Sequence, residues 1–222
     1  MDVSRIAELL EPFFGAAGQR RLTDSELAKV STYIDLLMRW NARINLTAIR
    51  DPEEIVTRHF GESLFAARHL FPAIARVETG DSPVGRVSVA DLGSGAGFPG
   101  IPIKLWAPET SLTLIESTQK KAVFLREVCR ALGLMDVNVE NARAETIASA
   151  ACDIVTLRAV ECFSDALVAA INLVRPSGRL ALLISSSQVQ TAKSVLTQFH
   201  WDEPNPIPMS ESRRLLIGRN EP

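Results

Sequence analysis

The pattern of hydrophobic and polar positions predicts a helical beginning followed by alternating strands and helices. Between Thr23 and Trp40 apolar side chains recur every three or four residues, which is the period of an amphipathic helix. Thr23 and Glu26 form a capping box that marks where this helix starts. The range Asp51–Leu70 shows a second helical pattern. We therefore expect a helical extension over residues 1–80.

A parallel α/β domain is predicted for residues 81–222. Segment Glu78–Gly85 carries turn residues without periodicity, so we place the boundary there. Beyond it, short apolar runs alternate with amphipathic segments, as in parallel sheets with crossover helices. The predicted strands are Val87–Leu92, Ser111–Glu116, Val137–Asn141, Asp153–Leu157, Arg179–Ser185 and Leu215–Gly218, with a further one near His200. The predicted helices are Thr118–Leu132 and Ser164–Val174, the latter closed by a turn at Arg175–Gly178.

Composition narrows the functional classes. The 222 residues are 46% hydrophobic, which is enough for a substantial core, and 24 basic against 26 acidic side chains exclude a uniformly basic protein. A local basic face remains compatible with nucleic-acid binding. Three cysteines without a C-x-x-C pair predict neither a metal site nor a disulfide framework. No apolar run approaches the roughly 18 residues that span a bilayer. We expect a cytoplasmic monomer without metal or membrane contact.

A glycine-rich loop follows the first predicted strand and is the main candidate for a ligand site. Gly95, Gly97 and Gly100 match the dinucleotide fingerprint, and Asp91 and Gly93 stand just before them. Such a loop lets the backbone approach a cofactor at the carboxyl end of a strand. It serves nicotinamide dinucleotides and S-adenosylmethionine equally well, so the glycines leave both cofactors open.

Two carboxylates bear on the choice of cofactor. Glu116, at the tip of the second strand, is able to accept hydrogen bonds from ribose hydroxyls of either cofactor. Asp91 beside a pyrophosphate would add repulsion on the order of 3 kcal/mol per charge pair at about 5 Å. The cationic sulfonium and ammonium of S-adenosylmethionine would instead be attracted. The sequence thus favours S-adenosylmethionine.

Several short motifs together resemble those of the RsmG (GidB) family of 16S rRNA guanine-N7 methyltransferases. They are Trp40-Asn41, Asn45-Leu46-Thr47, Arg58-His59-Phe60, the loop from Asp91 to Pro102, Lys120-Lys121-x-x-Phe124-Leu125 and Arg158-Ala159. The resemblance implies a class I methyltransferase fold, with a Rossmann-like, mostly parallel sheet, one antiparallel strand and helices on both faces. It also implies 16S rRNA or the assembling small ribosomal subunit as partner, with the target guanine at position 527 of the 530 loop.

The resemblance implies further cofactor contacts. They lie at Gly93, Phe98, Ala144, Glu145 and Arg158. Three of them have a plainer alternative. Glu145 is also a favourable residue at a helix start, and Phe98 is able to stack on a base or to pack in a core. Arg158 ends a strand, where it is able to bind a cofactor carboxylate or a nucleotide phosphate, or to pair with Asp153 or Glu161.

Local cationic clusters are the candidate RNA contacts. We single out Arg58, His59, Lys120, Lys121 and Arg213. The alternative for any one cluster is a solvated surface. Guanine N7 has an in-plane lone pair and no proton, so we expect no general base and name no catalytic side chain. After the fifth strand this chain has Ile184-Ser185, where the family usually shows lysine and glycine.

Three other functions remain open on the sequence alone. A methyltransferase of a small molecule would need a closed pocket in place of a basic face. A binding module would hold the cofactor without using it. An NAD-dependent oxidoreductase would use the same glycine loop.

Overall fold

The N-terminal third of the chain is helical, as predicted. The computed structural model describes residues 1–15, 20–72, 86–147, 152–159 and 162–221. Its helices before the sheet are α1 (Val3–Leu10), α2 (Asp24–Asn41), α3 (Pro52–Glu54), a π-helical segment (Ile55–Gly61) and α4 (Glu62–Leu70). The capping box is confirmed, because Glu26 N donates to Thr23 Oγ1 and Thr23 N to Glu26 Oε2.

The π-helical segment was not predicted. Gly61, its last residue, packs directly on Phe13 from the turn after α1. A Cβ atom at Gly61 would lie 2.4 Å from that ring. Segments of this kind are frequent at functional sites, and this one carries Arg58 and His59.

The remaining elements form one mixed sheet with crossover helices. Its strands are β1 (Ser88–Leu92), β2 (Ser111–Ile115), β3 (Val137–Glu140), β4 (Cys152–Arg158), β5 (Val174–Ser185), β6 (Phe199–Trp201), β7 (Asn205–Pro206) and β8 (Arg213–Asn220). The helices are α5 (Gly100–Trp106), α6 (Gln119–Ala131), α7 (Phe163–Ile171) and α8 (Val189–Val195). The strand order is β3-β2-β1-β4-β5-β8-β6, with β7 also paired to β8.

Strands β3, β2, β1, β4 and β5 are parallel, and β8 is antiparallel to them. Since β6 and β7 both pair antiparallel with β8, β8 alone runs in the opposite direction among the described strands. The predicted sheet is therefore confirmed, and the order reverses between β1 and β4. Ligands of open α/β sheets bind at such a point.

Alternation along the strands divides the core between two faces. Val89 of β1 and Ile154 of β4 belong to the core shared with α1, α2, α4, α5 and α6, whereas Ala90 and Val155 face α7 and α8. The helical extension thus shares a core with one face of the sheet. The boundary predicted at Glu78–Gly85 lies outside the described residues, so the division into two domains stays a prediction.

Two details of the predicted elements are wrong. The turn expected at Arg175–Gly178 lies inside β5, where the register passes from Cys152↔Val174 directly to Ile154↔Arg179. Residues 175–178 are thus an insertion in β5, which pairs with β4 both before and after them. As a result, β5 begins earlier and α7 ends earlier than predicted. The two-residue strand β7 was missed, because it is too short to show alternation. No described helix is long and apolar enough to cross a membrane.

Candidate functional site

A cavity of about 800 Å³ opens at the carboxyl ends of β1, β2 and β4. It lies where the strand order reverses, and its volume is in the range of small-molecule sites. One wall is the glycine loop with Glu116 and the segment after β3. The other wall carries Thr47, Arg58, His59, Arg158 and Arg213. The helical extension therefore supplies part of the cavity.

The first two glycines and Glu116 form the turn beneath the cavity. Gly93 and Gly95 have φ values of 67° and 56°, which favour glycine. Gly95 N donates to Glu116 Oε2 at 2.9 Å, and Thr118 N donates to Glu116 Oε1 at 2.7 Å. Each carboxylate oxygen has a second lone pair, so Glu116 is still able to accept hydrogen bonds from a ligand.

The next two glycines, Gly97 and Gly100, allow close packing inside the protein. The cofactor contact expected at Gly97 stays a prediction. A Cβ atom at Gly97, where φ is 91°, would lie 2.3 Å from the Tyr33 hydroxyl oxygen. At Gly100 it would lie 2.8 Å from Asp91 Oδ2. Neither glycine lines the cavity. The loop therefore combines two glycines that shape the site, Gly93 and Gly95, with two that allow close packing, Gly97 and Gly100.

Asp91 is placed differently from our expectation that it faces the cofactor. Its side chain is fully buried beneath the loop, where Oδ1 accepts from Thr156 Oγ1 at 2.7 Å and Oδ2 from Gly100 N at 3.1 Å. The reason is strand register: Asp91 pairs with Thr156, and both point to the face covered by α5. Asp91 supports the loop from below, so the charge argument against a pyrophosphate no longer rests on direct contact.

Burial of Asp91 predicts a specific pH dependence of stability. Desolvation raises its pKa from 3.8 to about 6 despite the hydrogen bond from Thr156. Because folding favours the protonated form, its contribution is fully present below about pH 3.8 and is lost as pH rises through 6. We expect the unfolding free energy of the wild type relative to Asp91→Asn to fall by about 2 to 3 kcal/mol from pH 4 to 7. Urea unfolding at several pH values measures it; a rising difference would contradict it.

Phe98 is held between two rings and does not offer a face to a base. Tyr33 stacks on it with centroids 5.2 Å apart and an interplanar angle of 3°, and His59 stacks with centroids 4.8 Å apart. The Tyr33 hydroxyl also donates to Ala96 O in the glycine loop. Of the two alternatives for Phe98, the structure therefore shows packing, and its ring connects the helical extension to the loop.

Arg158 is buried in a cluster of three arginines around Glu62. Arg158 Nη2 and Arg213 Nη2 donate to Glu62 Oε2 at 3.1 and 3.2 Å, and Arg58 Nε donates to Glu62 Oε1 at 3.1 Å. Burial lowers the pKa of Arg158, and Glu62 opposes that effect. With His59 neutral, the three arginines and one carboxylate carry a net charge of +2. This cluster makes its side of the cavity attractive to anions.

The ion pair predicted as the alternative for Arg158 involves a different partner. Asp153 lies at the other end of β4 and pairs with Arg175 at 2.5 Å, whereas Glu161 lies outside the described residues. Arg158 follows Asp153 by five positions along an extended strand, which separates them by about 16 Å. The acidic partner of Arg158 is instead Glu62, which is only 1% exposed.

The other candidate residues divide by whether they line the cavity. Those that do are Arg58, His59, Lys121, Ala144, Glu145 and Arg213. Lys120 is exposed on α6 and does not line it. Arg213 pairs with Ser185 across β5 and β8. Ser185 stands where the family usually has glycine, and Ile184, where it usually has lysine, pairs with Arg214.

Comparison with known proteins decides the family. The profile of the GidB family, described as rRNA small subunit methyltransferase G, matches residues 26–213. The chain belongs to this family. Two relatives named "Ribosomal RNA small subunit methyltransferase G" support it. The Roseiflexus sp. (strain RS-1) protein is 37% identical over 89% of this chain and 84% of its own length. The Xanthomonas axonopodis pv. citri (strain 306) protein is 41% identical over 77% of each.

Solved structures agree with the fold of this GidB-family chain. A ribosomal protein L11 methylase from Lactobacillus delbrueckii subsp. bulgaricus aligns with a TM-score of 0.57 at 14% identity, covering 74% of this chain and 79% of that one. A SAM dependent methyltransferase from Aquifex aeolicus aligns with a TM-score of 0.51 at 15% identity, covering 60% and 82%. At such identities the likeness concerns the fold, which is that of class I methyltransferases.

Three residues of this GidB-family site were not predicted as functional. Tyr33 and Glu62 read as parts of helical patterns, and Thr47 as a turn residue. For Glu62 the sequence did contain a signal, which is an acidic residue within an apolar helical stretch. The structure buries it together with the next three residues, Ser63, Leu64 and Phe65. Tyr33 gave no signal, because its role depends on a loop that lies 63 residues further along the chain.

Proposed function

We propose that this chain transfers a methyl group from S-adenosylmethionine to N7 of a guanine in 16S rRNA. The observation that carries the proposal is the shared cavity, in which the glycine loop with Glu116 faces a net-positive cluster of buried arginines. One side suits an uncharged ribose and a cationic methyl donor, and the other suits a polyanion. Membership of the GidB family supports both assignments.

The residues around the glycine loop fit S-adenosylmethionine. Glu116 keeps free lone pairs for ribose hydroxyls, and Gly93 and Gly95 line the cavity without a side chain. Ala144 and Glu145 also line the cavity, and we assign them to the adenine ring of the cofactor. When bound, the cofactor supplies an electrophilic methyl group attached to a sulfonium. Asp91 contributes indirectly, by fixing the start of α5 through Gly100 N.

The chain's own part in the reaction is positioning. Guanine N7 needs no deprotonation, so the cavity must bring N7 to within about 3 to 3.5 Å of the methyl carbon and exclude other acceptors. Arg58 and Arg213 are both accessible from the cavity and are able to hold RNA phosphates. Lys121 at the start of α6 extends this cationic surface towards the cofactor side.

Methyl transfer with a tritiated cofactor tests the proposal. The chain is incubated with deproteinised 16S rRNA and, separately, with small ribosomal subunits, and the product is treated with borohydride and aniline to cleave at 7-methylguanosine. We expect radioactivity in at least one of the two substrates and one cleavage site in 16S rRNA. Incorporation no greater than without enzyme, in both substrates, would overturn the proposal.

A further inference from the structure

Thr47 is a rigidly held residue of the cavity wall. It ends the turn after α2, and Asn41 fixes this turn: its Oδ1 accepts from Leu46 N at 2.9 Å and from Thr47 N at 3.1 Å. Asn41 Nδ2 also donates to Thr47 O at 2.9 Å. The side chain of Thr47 is half-buried and lines the cavity. The direction of its hydroxyl group is therefore set by the surrounding hydrogen bonds.

The tautomer of His59 determines what the Thr47 hydroxyl does. Arg158 Nη1 lies 3.1 Å from His59 Nδ1, and a guanidinium nitrogen only donates, so Nδ1 carries no proton. A neutral imidazole then carries its proton on Nε2, which lies 2.8 Å from Thr47 Oγ1 and must donate to it. The pKa of His59 agrees, because burial and three arginines lower it to about 3.

The hydroxyl oxygen of Thr47 is consequently saturated with donors. It accepts from His59 Nε2 and also from Ile49 N at 3.1 Å, which uses both of its lone pairs. Its own proton has no acceptor among the residues that the structure describes. Thr47 therefore presents a hydrogen-bond donor at the cavity wall, and the arrangement that orients it extends from Glu62 through Arg158 and His59.

We propose that Thr47 determines base specificity by donating a hydrogen bond to O6 of the target guanine. This inference rests on the proposed function. The edge of guanine that carries N7 also carries O6, and both are acceptors. N7 must keep its lone pair free for the methyl group, so recognition along this edge falls to O6. Adenine has an amino donor in place of O6, and two facing donors exclude it.

The inference is tested with RNA in which the target guanine is replaced by 2-aminopurine, which lacks O6 but keeps N7. Wild type and Thr47→Val are compared by kcat/KM for methyl transfer on both RNAs. We expect the wild type to prefer guanine about tenfold, the effect of one lost hydrogen bond. Thr47→Val should lose this preference and use both bases at similar rates. Thr47→Ser, which keeps the hydroxyl, should retain it.

A purely structural role for Thr47 gives a different result. Loss of support for His59 would lower kcat/KM on both RNAs by the same factor and leave their ratio unchanged, and that result would overturn the inference. Inosine, which keeps O6 and N7, serves as the positive control and should behave like guanine with all three proteins. A wild type that methylates 2-aminopurine as fast as guanine would overturn the inference even if Thr47→Val failed to fold.

The same assay separates failure of this inference from failure of the proposed function. No methylation of guanine-containing RNA by the wild type would overturn the proposed function and this inference with it. Methylation of guanine at N7 with equal guanine-to-2-aminopurine ratios in the wild type and Thr47→Val would overturn this inference alone.

Discussion

Glu62→Ala is expected to lower the free energy of unfolding by about 3 to 5 kcal/mol, the usual effect of leaving buried charges without their partner. Glu62 is the only carboxylate among the described residues that contacts Arg158, whose side chain is 8% exposed. Without it, the positive charges of Arg158, Arg213 and Arg58 would repel one another in the cavity wall. Equilibrium unfolding in urea measures the loss.

Glu54→Ala is the matched control for this prediction. Glu54 also pairs with Arg58, at 3.8 Å, but both side chains are more than 40% exposed. Exposed ion pairs contribute about 0 to 1 kcal/mol, so the control should change stability little. A similar loss in both variants would show that removal of either acid that pairs with Arg58 is destabilising, and would contradict the argument from burial.

Glu116→Gln is expected to weaken binding of S-adenosylmethionine about ten- to a hundredfold. Glu116 joins the loop to α6 through backbone bonds from Gly95 and Thr118 and faces the cavity. An amide keeps one acceptor oxygen and turns its NH₂ group towards a backbone donor. Hydrogen bonds to a charged group contribute about 1.5 to 3 kcal/mol each. Isothermal titration calorimetry with the cofactor measures the change.

Glu140→Gln controls for the loss of one negative charge near the same strand ends. Glu140 ends β3, and its exposed side chain accepts only from Asn138 among the described residues. We expect it to leave the affinity within about twofold of the wild type, since exposed polar contacts contribute little. Equal weakening in both variants would indicate long-range electrostatics, and unchanged affinity in Glu116→Gln would remove Glu116 from the cofactor site.

Local patterns predicted the elements well, because they depend on neighbouring residues. The capping box at Thr23 was correct because both of its hydrogen bonds span only three residues. The position of Glu116 at a strand tip followed from the short apolar run before it. The turn at Arg175–Gly178 was assigned to the end of a helix for a related reason. Turn residues are visible in the sequence, but the pairing with β4 on both sides of them is not.

The sequence by itself determined the class of fold, the glycine loop, and the residue types at the strand ends, since these follow from the periods of helices and strands. Only the tertiary structure decided the roles of the carboxylates, because Asp91 supports the loop from inside, Glu116 faces the cavity and Glu62 pairs with the arginines. Asp91 is buried by strand register, and Arg158 meets Glu62 across 96 residues and Arg213 meets it across 151. Partners so distant along the chain share no local pattern, because their contact depends on how the helical extension packs on the sheet.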